Sequence, residues 1–137
     1  MAVSRAEELQ VAITAALKAD ATVTGLVSTR IYDRIPQNVT YPCIGVGQDT
    51  GEPFDAAGLD GWEQLMRLDI WSRTGGRSVE AVQIAAATYA LLHNRTFLLS
   101  AGLNINGRMI PGGQQMLRDD DHETVQVLQR FRYVTQD

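Results

Sequence analysis

The chain has 137 residues, 45% of them apolar and 20% charged, and a formal net charge of −4. That length supplies one domain, 1–137, whose core needs neither disulfides nor metals, and the composition is that of an ordinary soluble globular protein. The acidic balance argues against a protein built to grip nucleic acid, the lone Cys43 excludes an internal disulfide and fits a reducing compartment of synthesis, and neither a signal peptide nor a bilayer-spanning run is expected.

Ser4 and Glu7 fit a capping box, and behind them Leu9, Ile13, Ala16 and Leu17 recur at helical spacing, which predicts an amphipathic helix over 5–19. Asp20 can cap a short second helical segment that Gly25 ends. Ile31-Tyr32 begins an extended piece, and Pro36 and Pro42 bound a turn-rich loop. A strand over 43–48 follows. The polar stretch 47–63, broken by Gly51, Pro53 and Gly58, reads as a long loop, a length that usually signals function or disorder. Over 64–72, Met66, Leu68 and Ile70 alternate with Arg67 and Asp69, so this is a half-buried strand.

Ser78 caps a predicted helix over 79–93, with Val79, Val82, Ala86, Tyr89 and Leu92/His93 along one side. Its five alanines allow close approach to a sheet. Residues 96–109 contain short extended pieces around Gly102 and Gly107. Pro111-Gly112-Gly113 is a turn or bulge, 114–118 a strand, Asp119-Asp120-Asp121 a hairpin tip, and 124–135 a long final strand. The order predicts an α+β fold of two layers, an antiparallel sheet with two main helices on one face.

Motifs for chemistry fail one by one. The only lysine, Lys18, lies in the first helix, which excludes a P-loop. Gly45-Val46-Gly47 begins a dinucleotide pattern, but its third glycine falls at Thr50. Asp119, Asp121 and Glu123 have the first spacings of a calcium loop, yet Thr124 replaces its glycine and Arg130 its bidentate glutamate. A charged, soluble hairpin tip is the simpler reading. His93 ends a helix and His122 sits in the acidic tip, neither near a nucleophile in sequence. No cofactor and no metal are expected, and the chain reads as a non-enzyme. Eleven arginines against one lysine fit either an Arg-rich interface or a GC-rich genome. Trp62 is a candidate contact residue; Trp71 reads as core or sheet rim.

Several positions in order resemble the tail-completion family of long-tailed bacteriophages, the tail terminators and tail-to-head joining proteins. They are the first helix, Ala19-Asp20, Leu26-Val27, Arg30-Ile31-Tyr32, Pro36, Pro42-Cys43-Ile44, the strand ending Asp69-Ile70-Trp71-Ser72, the Ala-rich helix after it, and the closing strand through Tyr133. The resemblance implies a virion subunit, made in the bacterial host cytoplasm. It would form a ring, commonly six-fold (a hexamer) in the family, at the head-proximal end of a tail tube. Implied partners are further copies of the chain, the tail tube protein and the head-tail connector, with DNA passing the lumen unread and no membrane involved. Gene transfer agents use similar proteins. The long loops 47–63 and 110–123 are the expected arms, which makes Glu52, Phe54, Asp55, Trp62, Met109, Arg118, Asp119, Asp120 and Asp121 candidate contacts. The alternatives are a head-completion or stopper protein, a small hydrolase using Cys43 or His122, and a nucleic-acid module.

Overall fold

The computed structural model describes residues 5–53, 61–99 and 102–136. Helix α1, Arg5–Ala19, buries Leu9, Ile13, Ala16 and Leu17, as its periodicity requires. Glu7 and Glu8 in its first turn and Lys18 in its last suit the helix dipole. The capping role expected of Ser4 lies outside the described residues. Helix α2, Ala21–Val27, starts where the Asp20 carboxylate accepts the Val23 N–H at 3.0 Å. It does not stop at Gly25. Val23 and Val27, one turn apart, are both buried, so packing carries the helix on until Ser28 turns to φ 56°.

The strands are β1 (Ile31–Tyr32), β2 (Cys43–Pro53), β3 (Gly61–Arg73), β4 (Leu98–Leu99), β5 (Gly102–Arg118) and β6 (Thr124–Gln136). They form one six-stranded sheet in the order β1-β2-β3-β6-β5-β4. Every pairing is antiparallel except that of β1, which runs parallel to β2 with Ile31 opposite Ile44. Arg30 Nε donates to the Pro42 carbonyl at 2.7 Å, clasping the two ends of the connecting loop.

The stretch expected as a loop over 47–63 is mostly strand: β2 runs on to Pro53 and β3 begins at Gly61. Its polarity comes from exposure at the sheet edge, because β2 is buried only over its first four residues. A bulge between Gln48 and Gly51 and the edge proline Pro53 complete that pattern. The arm expected over 110–123 is likewise strand as far as Arg118, leaving a tip of only 119–123. Pro111-Gly112-Gly113 is the expected irregularity, lying within the register shift between Met109 and Gln114, with Gly112 at φ 70°.

Helix α3, Val79–Leu92, is the third helix. Ser78 precedes it without a side-chain cap; instead Ser72 on β3 donates to Glu80 Oε1 at 2.7 Å, fixing the helix start to the sheet. α1 packs over β2 and β3, and α3 over β3 and β6, so both lie on the same face. That face is built by Ile44 and Val46 of β2, Met66, Leu68 and Ile70 of β3, and Val125, Val127, Phe131 and Tyr133 of β6. The two-layer α+β architecture is therefore the one the element order predicts.

Candidate assembly surfaces

α3 carries two apolar stripes, and the sheet buries only one. Ala81, Ile84, Ala85, Thr88 and Leu92 face the sheet. Of the side read from the sequence, Leu92 belongs to this buried face, whereas Val79, Val82 and Tyr89 point outward, 65%, 42% and 40% exposed. A buried polar cluster selects between them. Thr88 Oγ1 donates to Gln129 Oε1 at 2.6 Å, and Gln129 Nε2 donates to the Ala85 carbonyl and to Gln114 Oε1, each at 2.9 Å. Only with Thr88 turned to the sheet is Gln129 of β6 satisfied.

The outward stripe opens onto β5. Val82, Ala86 and Tyr89, with Met109 and Gln114, line a groove of about 410 Å³. Exposed Met116 and Leu117 stand further along the same strand. Met109 N donates to His93 Nδ1 at 3.2 Å while His93 stacks on Tyr89, ring centroids 4.6 Å apart. His93 is thus a strut between helix and strand. On the opposite flank, α1 exposes Val11 beside a groove of about 590 Å³ that Gln10, Asp33 and Gln48 also line. The large apolar residues left exposed among the described residues all lie on these two flanks or on β5.

The sheet face away from the helices is polar. Arg67 pairs with Asp69 at 3.1 Å, Arg130 with Asp49 at 3.0 Å, and Arg132 with Glu63 at 2.9 Å. Gln126 Nε2 adds a bond to Asp69 at 2.7 Å. Trp71 lies on this face, half-buried, with its indole N–H buried and without a partner among the described residues.

The sequence-derived contact residues do not form one site. Glu52 is exposed at the end of β2, and Phe54 and Asp55 lie outside the described residues. Trp62 is half-buried, its indole donating to Gln64 Oε1 at 2.9 Å and its ring lying over the bare backbone of Gly51. Met109 is half-buried in the α3–β5 groove, and Arg118, Asp119 and Asp120 are exposed at the far end of β5 and its turn. Asp121 is occupied: its carboxylate accepts the Glu123 and Thr124 N–H groups at 2.8 Å each, the Thr124 hydroxyl at 2.7 Å and Arg73 at 3.2 Å. The Thr124 hydroxyl first, and then the two N–H groups, hold its carboxyl well below the usual range.

Cys43 is fully buried, and burial pushes its thiol up to about 11, so at neutral pH it is protonated and not nucleophilic.

The family model for the tail completion protein gp17 matches residues 11–136. The chain belongs to the tail completion protein gp17 family. Among solved structures, a chain from the virion of a native gene transfer agent particle superposes with a TM-score of 0.81 at 20% identity, covering 99% of this chain and 100% of that one. A second solved chain gives a TM-score of 0.60 at 14% identity, covering 96% and 92%. No curated protein matches. At these identities the likeness is one of fold. In this member of the tail completion family the fold leaves two unlike flanks and one charged face uncovered. The outward α3 residues and Met116 are not among the contact residues expected from the sequence. The available signal was that α3 has more apolar positions than one packing face can use.

Proposed function

We propose that this tail completion protein is a structural virion subunit that forms a ring, six-fold by analogy with its family, at the head-proximal end of a phage-type tail tube. There it ends tube polymerisation and joins the tail to the head. The match to the tail completion family over 11–136 carries this reading. The uncovered surfaces support it. A closed ring needs a heterologous contact between two different patches, and the α1 and α3–β5 flanks are two such patches at opposite sides of the sheet. The tip residues Asp119 and Asp120, with Phe54 and Asp55, are assigned to contacts with the tube or the connector. The salt-bridged sheet face suits a wall that DNA passes without sticking. No cofactor and no catalytic step enter this reading.

Electron microscopy of particles made without this protein tests it. Over-long or unjoined tails are expected. Tail-less heads that leak DNA would instead make it a stopper of the head.

A further inference from the structure

Among the described residues, two charges on the polar sheet face have no counter-ion, and they stand at opposite edges of the sheet. Glu52 on β2 lies directly opposite Glu63 on β3, and Arg108 on β5 lies directly opposite Arg132 on β6. Like charges facing each other across a strand pair are unfavourable. Glu63 and Arg132 resolve their half of the conflict by pairing with each other at 2.9 Å. Glu52 and Arg108 are left over, both exposed, with no ion pair among the described residues.

The edges that carry them are also unpaired. Among the described residues, β1 covers β2 only at Ile44 and Gly45, and 46–53 has no outer strand. β4 covers β5 at Gly102 and Leu103, Arg95 bridges Gly107, and 108–118 has no outer strand among the described residues. The charges on these edges are opposite in sign. The free part of β2 holds Asp49 and Glu52 and no cation; that of β5 holds Arg108 and Arg118 and no acid.

Direction and level match as well. From β2 through β3 and β6 to β5 there are three antiparallel steps, so β5 runs antiparallel to β2. A second copy set alongside in the same orientation therefore brings its β2 antiparallel to the first copy's β5, continuing the sheet's own pattern. Arg108 is level with Arg132 and Leu65, and across from Leu65 on β2 lies the bulge between Gln48 and Gly51. Asp49 lies within that bulge and is already paired with Arg130. Glu52 is one pleat away, about 7 Å at ~3.3 Å per residue, within reach of an arginine side chain.

We infer that a second copy of this chain occupies the β5 edge, its β2 edge lying antiparallel to it and its Glu52 carboxylate pairing with Arg108. This rests on the ring reading above and supplies its subunit contact. Pro53 and Pro111 donate no N–H, and both edges carry bulges, so a full backbone ladder does not form and the side chains set the register. On the helix side, the same placement brings the next copy's Val11 flank toward the α3–β5 groove. Apolar contact there and charge pairing on the other face act together.

The test is a charge swap in the full chain. Glu52→Arg, Arg108→Glu and the combined variant are compared with the wild type by sedimentation velocity, alone and with purified tail tubes, at low and high salt. Each single reversal is expected to weaken association about 10-fold or more, and the swap to restore it to within a few-fold, with the wild-type contact weakening in salt. Both residues are exposed, and unchanged circular dichroism confirms that the variants fold. If the wild type associates and the single variants associate equally well, or the swap fails to recover, the contact is overturned while the ring stands. If the wild type associates neither with itself nor on tubes, ring and contact fall together.

Discussion

A β-carbon at Gly107 would collide with the ring of Tyr133, so this glycine is required by the close approach of β5 to a buried aromatic side chain. Gly107→Ala is expected to destabilise the chain by ~1–3 kcal/mol in urea unfolding. The Tyr133 hydroxyl is the opposite case. It is buried without a hydrogen-bond partner among the described residues, a desolvation cost with no return. Tyr133→Phe should leave stability unchanged or raise it by about 1 kcal/mol. Burial also shifts both the Cys43 thiol, to about 11, and the Tyr133 phenol upward. The sign follows from linkage. The unfolded chain loses these protons first, so the stability they contribute is full below about pH 9 and is lost as pH rises through 11. Denaturation across pH 8–11 should show that decline, and the chain carrying Cys43→Ala with Tyr133→Phe should show a shallower one. Iodoacetamide should modify Cys43 slowly in the folded chain and quickly in urea.

Among the elements, α3 separates packing from partnership. Ile84→Ala empties a fully buried position and is expected to cost ~2–5 kcal/mol. Val79→Gln and Val82→Gln, on the exposed stripe, should change the stability of the free subunit by no more than ~0.5 kcal/mol. The same two substitutions should reduce self-association measured by sedimentation. Equal association would show that the stripe faces solvent in the assembly. Periodicity locates this helix and its length but not its buried side, because Val79, Val82 and Tyr89 form as apolar a side as Ala81, Ala85 and Thr88. The deciding term was the need to satisfy Gln129, and that partner lies 41 residues away in sequence. β2 was misread for a related reason. Polar residues, a glycine and a proline suggest a loop when a strand is assumed to be half-buried, but an edge strand beyond the cover of α1 has no such requirement.

For the whole molecule, a sheet with helices on one face only leaves the other face and both edges open. The charge distribution shows how this chain handles that exposure. Ion pairs tie β2, β3 and β6 together on the open face, and the residual charges, acidic at the β2 edge and basic at the β5 edge, are segregated to opposite sides. A net charge of −4 conveys none of this, since only strand order brings Arg132 to Glu63 and leaves Arg108 without an acid among the described residues. The residues expected to make contacts were chosen for lying in loops. Most of them turned out to lie on strands or to be occupied within the chain, as Asp121 is by Thr124 and Arg73.

By itself the sequence determined the α+β class, the helices, the alternating β3 and the ordered positions that carry the family resemblance. These depend on local periodicity, caps and spacing, all of which are written within a few residues of one another. Only the tertiary structure decided which stripe of α3 is buried, that 48–53 is an edge strand, and that Glu52 and Arg108 on the polar face have no ion pair among the described residues. Those outcomes depend on strand order and register between segments far apart in the chain, where each side chain's neighbours are set by the fold and not by its position in the sequence.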